Sequence, residues 1–361
     1  MNKKLLAVLL CAGSGAVYAQ SSVTLYGRVD AGVEYISGVP NATGTGYTSR
    51  VRAESGDWGT SMWGLKGTED LGGGTSAIFD LEDGFNAMNG STSSLFSRRA
   101  YVGLSNTQFG TVTLGKNLAL VNDGVWAFDP WGQSSIASAS LVYGRNWPGS
   151  NNNIMYQSPT IAGFDVYAQY AFSNSTSYNG GPSNTSGQGR DTAVQLTYTA
   201  PHLQVRGIYD EIRDPLTGQF DDVFNYSREY FGGVSADFGP FTLKAAYQAS
   251  HADGAVGSLD RGITTTQQEW AGLNYQVNPS LAGRIAVYHV NANNQGGNAT
   301  IFTGGGEYYL SKRTWVDLQV AENVNSKTGR FSIDGGNETA TTPITGGKSQ
   351  FAIYAGIDHA F

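Results

Sequence analysis

The chain has 361 residues, among them 49 glycines and 20 tyrosines, with only 14% charged residues and a formal net charge of −7. Soluble domains carry roughly 25% charged residues, and a net negative chain excludes general nucleic-acid binding. No stretch after the N-terminus approaches the roughly 18 apolar residues of a membrane helix, which excludes helical spans but not a β-barrel, whose signal is weak in each strand.

In chain order, Lys3 and Lys4 precede the apolar run Leu5 to Cys11, and Val17-Tyr18-Ala19-Gln20 offers small-residue cleavage after Ala19. Residues 1–19 therefore read as an export signal. Leu10 is too bulky for a lipoprotein site at Cys11. The remaining chain, 20–361, has no cysteine, hence no disulfide or thiol chemistry, and holds 20 basic against 29 acidic residues, a charge of −9.

The stretch "VTLYGRVDAGVEY" at 23–35 alternates strictly: Val23, Leu25, Val29, Ala31 and Val33 share one face, and Thr24, Tyr26, Arg28, Asp30 and Glu34 the other. Period two marks a strand with one apolar face. The same alternation recurs in "SMWGLKG" at 61–67 and "SAIFDLEDG" at 76–84. Later, Leu203, Val205 and Tyr209 oppose Gln204, Arg206 and Asp210, and Leu281, Ile285 and Val287 oppose Arg284 and Tyr288.

Alternating segments bounded by Gly, Pro or Asn begin near Val23, Trp58, Thr75, Ser97, Gly110, Asn152, Gly163, Asp191, His202, Arg228, Pro240, Gln267, Leu281, Thr300, Arg313 and Ser349. That is about sixteen strands, and an even number suits a closed antiparallel barrel. Tight connections such as "TAPH", "DFGP", "VNPS" and "LSKR" take turns with long polar ones at 173–190, 250–266 and 322–347. Short turns at one rim and long loops at the other predict an all-β transmembrane antiparallel barrel in the outer membrane. The last segment, "FAIYAGIDHAF", puts Phe351, Ile353, Ile357 and Phe361 on one face. Pairing it with the first strand closes the sheet, leaves lipid against the apolar face and places water inside.

Taken together and in order, "VTLYGRVDAGVEY", "WGLKGTEDLGGGTSAIFDLEDGFN", "FSRRAYVGLSNTQFGTVTLGKN", "NNIMYQSPTIAGFDVYAQY", "YYLSKRTWVDLQVAE" and the final "HAF" resemble the trimeric general porins of Gram-negative outer membranes, especially their betaproteobacterial branch. The resemblance implies sixteen strands, a homotrimer, contact with outer-membrane lipid and lipopolysaccharide, and insertion by machinery that reads the strand ending in Phe361. It also implies that the third long loop, here residues 118–150, folds into the pore and narrows it. At the constriction it implies Arg28 and Arg98 as basic residues and Glu82 as an acid, with Asp129 and Asp123 as the acids of the loop. The family commonly has a basic residue where this chain has Met62 and another where it has Gln157. The positive ladder is thinner here, with Lys66, Arg99 and Arg145 available to compensate, which predicts weak selectivity leaning to anions.

The implied function is passive diffusion of ions and small hydrophilic solutes, with no catalytic step and no cofactor. His202, His251, His289 and His359 have no metal-ligand spacing; calcium on loop acids stays open. "TGGKSQ" lacks the earlier glycine of a phosphate loop, since Thr342 stands in its place, and no serine sits in G-x-S-x-G. Two alternatives stay open: a barrel enzyme of lipase or protease type, for which His202 and His251 are the loose candidates, and an adhesion barrel with a plugged lumen.

Overall fold

The computed structural model describes residues 22–41, 43, 45–132, 134–136, 145, 148–172, 189–255, 262–333 and 344–361. The export-signal reading of residues 1–19, most of 137–147 and the centres of the long loops lie outside the described residues. Seventeen β segments form one sheet: β1 (Ser22–Pro40), β2 (Tyr47–Glu54), β3 (Met62–Gly72), β4 (Thr75–Gly84), β5 (Arg99–Asn106), β6 (Gly110–Leu118), β7 (Gly149–Gln157), β8 (Phe164–Ala171) and β9 (Asp191–Ala200) make the first half. The second half is β10 (Leu203–Ile212), β11 (Arg228–Phe238), β12 (Phe241–His251), β13 (Thr265–Asn278), β14 (Leu281–Ala292), β15 (Gly297–Tyr309), β16 (Thr314–Asn325) and β17 (Gln350–Ala360). All neighbours are antiparallel.

The seventeen segments make sixteen staves, because β2 and β3 are two halves of one. Ser22–Arg28 of β1 pairs with β3, and Gly32–Pro40 of the same strand pairs with β2. Residues 55–61 leave the wall between them. The sequence reading starts this stave near Trp58 and overlooks β2; Trp58 lies in the interruption, and the lower half begins at Met62. The other staves fall where the alternation puts them. β1 also pairs with β17, Arg28 opposite Ala360 through Ile36 opposite Ala352, so the sheet closes on itself.

Closure satisfies every stave's backbone without an edge, the condition for crossing a bilayer with strands. The two faces then sort as the alternation demands. Val23, Leu25 and Val33 are exposed on the outside, and Asp30 and Glu34 are buried within. Outward aromatics meet near the short turns, Phe241 stacked on Tyr275 at 4.6 Å and Phe164 tilted against Tyr198 at 4.7 Å. Tyr209 and Tyr230 meet at 5.2 Å near the loop rim, giving the two girdles of a membrane barrel. In the turn after β3, Gly72, Gly73 and Gly74 have φ of 82°, 61° and 75°, a run that only glycine adopts without strain.

The buried apolar cluster lies inside the barrel rather than between sheets. Phe128 and Trp131 of the segment after β6 pack with Phe231, Trp270 and Tyr288 of the wall. That segment is residues 119–148, which hold a short helix α1 (Leu120–Val125) and a 3-10 turn at Trp126–Phe128.

The facing is tested within one strand. Val33→Arg puts a charge on the lipid side and should cost about 2 to 4 kcal/mol if near the midplane, whereas Thr24→Arg on the lumen side should cost little. Urea titration of folding into lipid vesicles checks this; equal losses would invert the assignment of inside and outside.

Candidate functional site

Antiparallel register stacks the inward side chains of β1, β3 and β4 into level rungs. Arg28, Met62 and Gly84 share one rung, Tyr26, Gly64 and Glu82 the next, and Thr24, Lys66 and Asp80 the third. Gly64 is what lets the middle rung work, because a Cβ there would lie 2.7 Å from the Tyr26 ring. Without it, the Tyr26 hydroxyl reaches across the strand to 2.7 Å from Asp80 Oδ1 and 2.9 Å from Glu82 Oε2. Lys66 Nζ sits 4.9 Å over the same ring.

Two guanidinium groups converge on Glu82. Arg99, opposite it in the β4–β5 register, donates Nη1 to Oε1 at 3.0 Å, and Arg98 donates Nε to the same oxygen at 2.6 Å. Arg99 also donates Nη2 to Asp123 of α1 at 2.7 Å, tying the wall to the inner segment. Arg98 lies one residue ahead of β5, and its backbone N–H bonds Glu82 O at 3.1 Å. Arg28 donates to Thr60 O at 3.0 Å and Arg98 to Thr60 Oγ1 at 3.4 Å, so both are held by the inward excursion 55–61. Trp58 of that excursion packs under Arg28 at 4.9 Å and donates its indole N–H to Glu307 at 2.8 Å.

Exposure decides what the water meets. The Glu82 side chain is 1% exposed, while Arg98 is 23% and Arg99 19%. The carboxylate sits behind its cations. The arrangement can therefore present positive potential to the lumen although acids and bases nearly balance in number.

The inner segment starts with the Leu120 N–H on Gln169 Oε1 at 2.9 Å, which satisfies one orphan donor of α1. It then follows the wall. Arg206 donates to Gly124 O at 2.8 Å, Lys244 to Asp129 O at 3.1 Å and Arg284 to Pro130 O at 3.1 Å. Trp270 Nε1 donates to Phe128 O at 3.0 Å, Trp131 Nε1 to Thr303 at 2.9 Å and Ser134 Oγ to Gln319 at 2.8 Å. The Ser135 N–H finally bonds Asp57 O of the excursion at 2.8 Å. Two inward pieces of backbone thus meet inside one barrel.

A model of the Gram-negative porin family matches residues 6–328. The chain belongs to the Gram-negative porins. An outer-membrane porin of Delftia acidovorans is 30% identical over the whole of both chains, and one of Bordetella pertussis is 33% identical over 74% of each. Among solved structures, an anion-selective porin from Comamonas acidovorans superposes with a TM-score of 0.79 at 26% identity, covering 95% of this chain and all of that one. The protein is an outer-membrane porin, a channel for passive diffusion, and the described residues 119–132 and 134–136 form an inward segment against its inner wall.

The porin brings Arg28, Arg98, Arg99, Glu82 and Asp123 into one connected group, with Lys66 one rung below. Asp129 does not belong to it, contrary to the sequence expectation. It is fully buried on the opposite wall, where its Oδ1 accepts the Tyr288 hydroxyl at 2.7 Å and the Trp131 N–H at 2.7 Å. Arg145 is no spare pore cation either: it is fully buried and pairs with Asp210 and, at 3.5 Å, with Glu229. Burial disfavours its charge, but those carboxylates more than offset this and hold its pKa above the ordinary arginine value. Met62 faces inward beside Arg28, whereas Gln157 pairs with Thr111 at the turn end of β7, away from the constriction.

Sequence reasoning missed Lys244 and the role of Arg206 and Arg284. The inward parity of Arg206 and Arg284 was visible, but not which loop carbonyls they would grip. Asp129→Ala should remove the acceptor shared by the buried Tyr288 hydroxyl and the Trp131 N–H, at about 1–3 kcal/mol. A thermal melt of the folded porin should show the loss, while the reversal potential stays near wild type; an intact melt would remove Asp129 as the loop's anchor.

Proposed function

We propose that this porin passes small hydrophilic solutes with a weak preference for anions, through a constriction lined by Arg28, Lys66, Arg98 and Arg99 with Glu82 and Asp123 as counterions. The observation that carries this reading is the burial of Glu82 behind the more exposed Arg98 and Arg99. Arg206 and Lys244 add charge to the lumen wall, where their hydrogen-bond partners are neutral oxygens, Thr197 Oγ1 and loop carbonyls. Two unit charges about 10 Å apart in water interact by only about 0.4 kcal/mol, but a low-dielectric wall raises this severalfold. Position at the narrowest water then outweighs a net charge of −7 that would favour cations.

The similar Comamonas acidovorans structure is titled an anion-selective porin, which agrees in direction. Met62, standing inward beside Arg28, removes a positive charge that relatives commonly place there and keeps the preference weak. The reading needs no cofactor and no covalent step, and calcium on external-loop acids would bear on loop order rather than conduction. An export signal at 1–19, a homotrimer set in lipid and lipopolysaccharide, and insertion machinery that reads the outward Phe361 complete the proposal. Phe361 suits that role: its ring lies over Gly27 on the outer face and is 42% exposed.

Planar-bilayer recording in a salt gradient tests the ion preference. Wild type should reverse weakly toward the anion potential, and Arg98→Glu should move the reversal potential strongly toward cations with modest change in conductance. The same substitution at Arg190, outside the constriction, should do much less. An unmoved potential in Arg98→Glu would take Arg98 out of the constriction.

A further inference from the structure

The outer wall of β13–β16 has a depression that neither closure nor conduction requires. Outward positions there carry large apolar side chains: Ile285, Phe302 and Leu318 are all exposed. Gly283 and Gly306, which face each other in register, and Gly304, the next outward position on β15, carry none. The result is a groove of about 390 Å³ with Gly283 and Gly306 in its floor and Val277, Leu281, Tyr308, Val316 and Leu318 around it.

Not every glycine here is free. Gly305 points inward, where a Cβ would lie 3.1 Å from Trp131, and Gly306 is held by the close Ala282 carbonyl. Gly283 and Gly304 differ: a Cβ would meet only Gly305 O at 3.9 Å and Ile285 Cγ2 at 4.0 Å respectively. A side chain would fit at both. Glycine weakens a strand, and a strand glycine marks a bulge, a bend or a place that a ligand or another backbone approaches closely.

Charge indicates the occupant. The groove lies at the short-turn end of the barrel, which is the periplasmic end of an outer-membrane porin. Seven short turns close that rim, and the one beside the groove, residues 310–313, holds Lys312 and Arg313, both exposed. The other six turns contain no lysine or arginine. Two cations at the headgroup level next to an apolar groove match an anionic lipid with one chain laid along the wall.

We propose that the groove seats one acyl chain of an anionic phospholipid from the periplasmic leaflet, with its phosphate against Lys312 and Arg313. Tyr308 forms the boundary between the two parts, its ring on the apolar side. This site is independent of the pore and of ion preference. It holds a lipid at a fixed place on the barrel rather than as exchanging bulk solvent.

Native mass spectrometry of the full-length porin in mild detergent, supplied with phosphatidylglycerol or phosphatidylethanolamine, tests the site. Wild type should retain one phosphatidylglycerol per chain in preference to phosphatidylethanolamine. Gly283→Leu fills the groove and should abolish retention while leaving assembly and conductance unchanged. Replacing Lys312 and Arg313 by Gln, in a turn outside every strand, should lower phosphatidylglycerol retention at least about tenfold and erase the preference. Retention unaltered by both variants overturns the proposal. A change of oligomeric state in Gly283→Leu also overturns it, by making the groove a contact between copies.

Discussion

Everything in this porin follows from the pairing of β1 with β17. A sheet in a bilayer has no water to satisfy its edge, so the first and last staves must find each other. They do so over Arg28–Ile36 and Ala352–Ala360, and the backbones of Gly27 and Phe361 exchange two further hydrogen bonds at 3.2 and 3.1 Å. Closure converts period-two alternation from a local pattern into two surfaces. One is lipid-facing and apolar, the other encloses water and can carry charge.

The enclosed face then poses its own problem. A bare sixteen-stave barrel is a wide aqueous hole, and selectivity requires backbone brought into the lumen without unpaired polar groups. The inward loop meets this by exchanging hydrogen bonds with the wall. Arg206, Lys244, Arg284, Trp270 and Asn274 all donate to its carbonyls. Arg206 and Lys244 rest there against neutral oxygens, while Arg284 also pairs with Glu307 at 2.6 Å, so the anchoring of the loop and the sign of the lumen wall share residues. The excursion 55–61 adds a second inward strut, held by Asp30 accepting the N–H groups of Trp58 and Gly59 at 2.9 and 2.8 Å.

Alternation and turn residues made the barrel legible, because those signals are local: β4, β10 and β14 begin within a residue of their sequence-read starts. β2 escaped notice because its outward face is sparse, Tyr47, Ser49, Val51 and Ala53, and its inward arginines are matched by Glu34 on the neighbouring strand. Glu82, Arg98 and Arg99 were legible because they lie on or beside strands whose facing is fixed by parity. Asp129 was not: nothing in "AFDPWG" encodes that Tyr288, 159 residues away, would take its carboxylate. Loop placement depends on the whole inner wall, and the wall is assembled only at closure.

The central claim is that water at the constriction meets guanidinium groups with the Glu82 carboxylate behind them. Anomalous diffraction from crystals soaked separately in bromide and rubidium salts reads this directly. Bromide peaks beside Arg28, Arg98 and Arg99, with no rubidium at Glu82, are the result this account predicts. Rubidium at Glu82 or Asp123, with the arginines bare of bromide, would contradict it.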